Sequence, residues 1–305
     1  RWLMDPKHPL TARVTMNRFW QMLFGVGLVK TTENFGVQTE YPRHPELLDW
    51  LSAEFIESGW DVKGLLRTIV TSETYRRSST ISSFAEFERD PENRYLARGS
   101  RFRMPSWMIR DQALAVSGLL NPQMGGKAVY SYQPTGIWAE ATFGKKIFRQ
   151  DSGKALYRRS LYTYWRRIIG PTMFFDVAKR QVCEVKPLRT NTPMHALTIM
   201  NDVTYVEAGR ALADLLLRDA KDDELRLRLA VKKVLGRAPS AEELVFLKRS
   251  LARGITSFTE DPEAARRYLS HGDSKPTSEL PPATRAAWAA LCLNLLNLDE
   301  TLNKE

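Results

Sequence analysis

The sequence predicts a mainly α protein, an irregular multi-helix array with a long loop-rich central segment and at most a minor β element. Three observations carry this. Apolar residues recur at helical spacing through most of the chain, the stretches so marked open on proline or a polar cap and close on glycine, and no repeat of fixed period organises them. At 305 residues, 43% hydrophobic and 26% charged, the chain has ordinary globular composition and enough length for one large or two closely packed domains.

The elements follow in order. From Thr11 to Phe24 the residues Val14, Met16, Phe19, Trp20 and Leu23 make one apolar stripe, which Gly25 is placed to end. His44-Pro45 opens a second helix that closes at Gly59, and Asp61 caps a third through Val70. A polar loop is expected from Ser78 to Arg89, then a short helix from Asp90-Pro91 and a longer one from Pro105 to Leu120. Asn121 to Lys154, with its glycines, two prolines and scattered aromatics, reads as a long ordered loop. Tyr157 to Trp165 mixes β-formers with arginines, so strand and helix both stay open there.

Beyond it, Thr192-Pro193 caps a helix through Met200, and Val203–Leu217 and Glu224–Leu235 follow. Ser240-Ala241-Glu242-Glu243 is a capping box opening a helix expected to end at Gly254. Asp261-Pro262-Glu263 and Pro282 to Leu298 complete the set. The segments divide the chain into an N-terminal helical part (1–120), a loop-rich basic and aromatic part (121–191) and a C-terminal helical part (192–305), packed as one unit.

The charge is concentrated. Between Lys145 and Arg189 stand twelve Lys and Arg against Asp151, Asp176 and Glu184, a net +9 of the chain's +10. Interleaved with tyrosine, tryptophan and phenylalanine, Arg158, Arg159, Arg166, Arg167 and Arg189 are the candidates for an anion-binding surface. The structural alternative is that these arginines pair with acidic helix faces or lie over aromatic surface.

Familiar catalytic and cofactor patterns are missing from the sequence. Gly25-Val26-Gly27 lacks a third glycine, and there is no GxxxxGK[ST], HExxH or GxSxG. No two of the four histidines share the spacing that holds a metal, so no metal site is expected. Cys183 and Cys292 stand alone, outside any CxxC or CxxCH, and read as packing residues. The uncharged runs are shorter than the ~20 residues a membrane span needs. An enzymatic alternative would be a hydrolase acting on extracellular polysaccharide. It would use His44 or His195 with Asp49, Asp111 or Asp202, and with Arg110 beside Asp111, provided those groups meet in one cleft. Nucleic-acid binding follows from a pI near 9.6 and ranks last for want of a binding motif.

Several short motifs, in order, resemble one family. Asn17-Arg18-Phe19-Trp20, Phe24-Gly25-Val26-Gly27-Leu28-Val29, Asn34-Phe35-Gly36 and His44-Pro45-Glu46-Leu47-Leu48-Asp49-Trp50-Leu51 are similar to the opening of the planctomycete-type (PSD) domain of unknown function. Gly59-Trp60-Asp61-Val62-Lys63, Ile109-Arg110-Asp111, Tyr157-Arg158-Arg159-Ser160-Leu161-Tyr162 and Thr190-Asn191-Thr192-Pro193 continue the resemblance. It departs at Thr39 and Arg43, where Gly and Ser are expected, and at His195, where Gln is usual. The chain's end also lacks an expected aromatic after Glu300.

The resemblance implies a C-terminal module of a large exported bacterial protein, located in the periplasm or outside the cell. Upstream domains of the same polypeptide would be its partners, often including a cytochrome-c-like domain. No cofactor is expected in this chain, and haem c would belong to the upstream region. The opening Arg1-Trp2-Leu3, without Met, agrees with an internal piece whose targeting signal lies upstream. Sequence and resemblance together predict a helical accessory module that binds an anionic polysaccharide or a partner domain.

Overall fold

The computed structural model describes residues 2–166, 169–177, 184–186, 189–277 and 279–304. Helix dominates, as the periodicity predicts, and the β content is one two-stranded sheet of β1 (Phe102–Arg103) and β2 (Asn303–Lys304). The chain separates into two compact units. Unit 1 comprises Arg1–Phe102, Glu184–Pro187 and Asn303–Glu305, and unit 2 comprises Arg103–Cys183 and Leu188–Leu302.

Unit 1 is built on α1 (Thr11–Phe24), α2 (Pro45–Glu57) and α3 (Val62–Thr71), with the short α4 (Glu73–Arg76) and α5 (Phe84–Arg89) behind them. Met16, Trp20 and Phe24 on α1 pack with Leu48, Leu51 and Phe55 on α2 and with Leu65 and Ile69 on α3, all nearly free of solvent. Asp61 accepts from the Gly64 amide, which explains why α3 starts where it does. Asn17 is fully buried: its side chain donates to the Val29 carbonyl at 2.9 Å and accepts from the Val29 amide at 2.8 Å. Those two bonds fold the Gly25–Val29 turn back on α1. At Gly27 a Cβ would stand 2.6 Å from the Asn17 side chain, so the turn closes only on glycine.

Unit 2 contains α6 (Ser106–Val116), α7 (Ile137–Ala141), α8 (Pro193–Asn201), α9 (Val203–Asp219), α10 (Asp223–Leu235), α11 (Ala241–Glu260), α12 (Pro262–Leu269), α13 (Pro282–Leu296) and α14 (Asp299–Leu302). The central pair is α9 and α13. Both are buried nearly all round, with Tyr205, Leu212 and Leu216 facing Trp288, Cys292 and Leu296, and α10 and α11 close the core. The fully buried Cys292 accounts for one cysteine as a packing residue; Cys183 lies outside the described residues.

Local expectations differ at several points, among them α7, which forms inside the stretch 121–154 read as loop. Helix α5 forms inside the stretch 78–89 read as loop, because Ser83 caps it through the Glu86 amide. Asp90-Pro91 starts a turn rather than a helix, since the Asp90 carboxylate accepts from the Arg94 and Tyr95 amides at 2.7 and 2.8 Å and bends the chain there. Helix α11 runs through Gly254 to Glu260, the glycine being where α11 meets Ala287 of α13. Tyr157–Trp165 holds a 3-10 turn at Ser160–Tyr162 and isolated bridges to 121 and 129.

Candidate functional site

The residues singled out by sequence occupy separate neighbourhoods. In unit 1, His44 precedes α2 and its Nε2 lies 3.2 Å from the Arg94 carbonyl, while Asp49, five residues on, is exposed and paired with Arg13 at 2.7 Å. In unit 2, Arg110 is completely buried on α6 and donates to the carbonyls of Arg158 (2.9 Å) and Leu156 (2.9 Å). Asp111 accepts from the amide and hydroxyl of Ser160 at 2.8 and 2.7 Å. Asp202 caps α9 through the Thr204 amide and accepts from Thr172.

His195 stacks on Phe175, with centroids 4.1 Å apart, and its Nε2 is 3.9 Å from Asp176. The carboxylate that meets it is therefore Asp176, itself held by Thr190 and in a left-handed conformation at φ 52. The structure brings Arg110, Asp111 and the Arg158 backbone together around Ser160; His44 and Asp49 belong to unit 1.

The basic candidates divide similarly. Arg158 is 5% exposed, and its guanidinium donates to the carbonyls of Lys127 (2.8 Å), Gln123 (3.3 Å) and Gly125, with its plane 3.7 Å over the Tyr162 ring. Arg159 is exposed against the Met124 sulfur. Arg166 is half-buried, Arg189 half-buried with its guanidinium pKa lowered by burial, and Arg167 lies outside the described residues.

A cationic concavity lies in unit 1, where His44, named in the sequence as a candidate base, meets arginines that the sequence did not single out for binding. A cavity of about 320 Å³ is lined by Arg43, Arg94, Arg98 and Arg101 with His44, over an apolar wall of Trp20, Phe24, Phe87, Leu96 and Phe102. Trp20 and Phe24 stack there with ring centroids 4.0 Å apart. The lining carboxylate, Glu92, is engaged by Lys30 through two bonds of 2.7 Å, and that contact is the first cause of its lowered pKa.

The loop that carries the arginines is tightly specified. Arg98 donates to the carbonyls of Asp90 and Pro91 and covers the Phe87 ring at 5.2 Å. Asn93 clasps the Arg98 backbone, and both Asn93 and Leu96 adopt left-handed backbone, φ 53 and 57. For leucine that conformation is strained, as is found where a loop is held for binding. The Nε of Arg94 is buried without a hydrogen-bond partner among the described residues. Arg43 has a loose pair with Glu40 at 3.5 Å. Guanidinium groups suit a carboxylate, sulfate or phosphate; Arg98 already spends one terminal nitrogen on the Asp90 and Pro91 carbonyls, so Arg43 and Arg94 carry the assignment. The signal in the sequence was density: three arginines within eight residues, Arg94 to Arg101. Arg43, a departure from the expected pattern, joins them only through folding.

Among the described residues no group of three or more His, Cys, Asp or Glu is placed to hold a metal, and no helix is long and apolar enough to cross a membrane. A family model described as PSD1, protein of unknown function (DUF1553), matches residues 1–251. Comparison with curated proteins and with solved structures found no match.

Proposed function

The chain belongs to the PSD1 family of proteins of unknown function, and from that premise we propose that it is a helical accessory module that recognises an anionic group of a polysaccharide. The carrying observation is the cavity of unit 1, where four arginines and a histidine line an apolar wall and the one lining carboxylate is already held by Lys30. Apolar surface with a few convergent charged groups is the usual composition of a ligand pocket. A uronate or sulfate would take the guanidiniums at the mouth of the cavity, whose floor is the edge of the core at Trp20 and Phe24. In the same reading the module works outside the cytoplasm, next to a cytochrome-c-like domain of its own polypeptide that carries any haem.

Titration calorimetry with a uronate-rich, a sulfated and a neutral polysaccharide tests this. One anionic polymer is expected to bind in preference, and Arg43→Ala with Arg94→Ala to weaken it about ten- to a hundredfold, the equivalent of ~1.5–3 kcal/mol for charge-assisted contacts. Equal affinity for every polyanion, erased by moderate salt and indifferent to the substitutions, would leave net charge as the whole explanation.

A further inference from the structure

A second surface stands out in unit 2 and does not depend on the pocket of unit 1. Immediately after α7, Phe143 is 92% exposed and Ile147 84% exposed. Lys145, Lys146 and Arg149 are exposed around them, and the segment 143–149 contains no carboxylate. Large apolar side chains so fully in water gain nothing for the fold.

The loop is held in this posture. The Thr142 hydroxyl donates to the Trp138 carbonyl at 2.6 Å and accepts from the Lys146 amide at 3.1 Å, while the Gly144 amide returns to the Ala139 carbonyl at 2.8 Å. Phe148 turns inward, stacking on Trp138 at 5.3 Å, and meets Tyr130, which stacks on Tyr164 at 4.5 Å. Phe143 itself adopts left-handed backbone at φ 52, an outlier for a bulky residue. An aromatic anchor beneath, a strained tip above and cations on the flanks display Phe143 and Ile147 outward.

We propose that this loop is a peripheral membrane contact: Phe143 and Ile147 enter the headgroup boundary of a bilayer, and Lys145, Lys146 and Arg149 rest on anionic lipid. Amphipathic segments with cations beside exposed apolar groups bind such surfaces, and lysine stems reach along the apolar layer to charged headgroups. A protein partner fits less well. Two apolar side chains fall far short of the about 800 Å² each partner contributes to a stable interface, and lysine is depleted from interface cores.

Co-sedimentation of the 305-residue chain with vesicles of phosphatidylcholine alone, and of phosphatidylcholine with phosphatidylserine, tests the proposal. Binding to the anionic vesicles is expected, and Phe143→Asn with Ile147→Ser should reduce the partition coefficient at least about tenfold. Asparagine accepts left-handed backbone, so the loop keeps its course, and circular dichroism confirms that the variant is folded. Lys145→Gln with Lys146→Gln should also lower binding and flatten its salt dependence. Absence of binding to anionic vesicles overturns the proposal. Binding that survives loss of both apolar side chains does so too, because the net charge of +10 would then suffice.

Discussion

At Arg158 the basic segment of the sequence meets its own architecture. The guanidinium that sequence places on an anion-binding surface holds the 123–127 turn by its carbonyls and covers Tyr162. Arg158→Ala is expected to lower unfolding stability by about 1–2 kcal/mol, because the exposed 123–127 turn loses its charge-assisted donors and the packing over Tyr162. Arg158→Lys should recover little of it, since an ammonium cannot span the same acceptors. Urea denaturation reads both, and an unchanged midpoint would refute the role as a fastener. Nothing in Arg158-Arg159 tells the two residues apart; only the path of residues 123–127 turns one inward and leaves the other on Met124. Glu207 is similar. It is 1% exposed on α9 and accepts from Tyr132, Tyr157 and the Ser274 amide at 2.7–2.8 Å. Burial first, and then the Glu207 carboxylate, push both phenols above the tyrosine range. A raised folded-state pKa gives stability that is complete below the unfolded value of about 10 and is lost as pH rises beyond it. Denaturation midpoints should therefore fall above about pH 10, and less steeply in Tyr157→Phe; identical slopes would count against the network.

At the scale of elements, the helices legible in sequence were those with both a periodic face and a terminal signal. The box opening α11 formed as read: Ser240 accepts from the Glu243 amide, and Glu243 accepts from Ser240 and from Arg237 at 2.7–2.8 Å. Those bonds, Arg237 first, hold the Glu243 carboxyl down at about 2. A depressed carboxylate stabilises above its unfolded value and loses that effect as pH falls through the folded one. Glu243→Gln should thus cost about 1 kcal/mol at neutral pH, with solvent screening part of the ion pair, and the difference should close as pH falls from about 4 to 2. A gap that persists at pH 2 would contradict the assignment. The elements that were not legible depend on tertiary partners. Gly254 looked like a stop, yet it lies against Ala287, and Gly209 in α9 lies where a Cβ would come within 3.1 Å of Leu293 on α13. Gly209→Val should therefore destabilise by about 1–3 kcal/mol, read by thermal or urea unfolding. Asp90-Pro91 carried a helix-start signal, and the side chain of Asp90 spent it on a turn instead.

For the molecule as a whole, periodicity sufficed to predict an irregular helical array, because α9 and α13 are apolar enough to be buried on nearly every side. The pocket was hidden for the opposite reason. Its arginines come from residue 43 and from 94–101, and only the Asn17-fastened turn and the Asp90 turn bring those stretches to Trp20 and Phe24. The net charge of the sequence is concentrated elsewhere, at 145–189. On the proposed function, an anionic saccharide is held in unit 1 and not along that basic segment. Amide hydrogen exchange of the 305-residue chain, with and without the polyanion it binds best, tests this most directly. Slowed exchange is expected at residues 25–28 and 92–101, with no change at 145–166; protection confined to 145–166, with 92–101 unaffected, would place the saccharide on the basic segment instead.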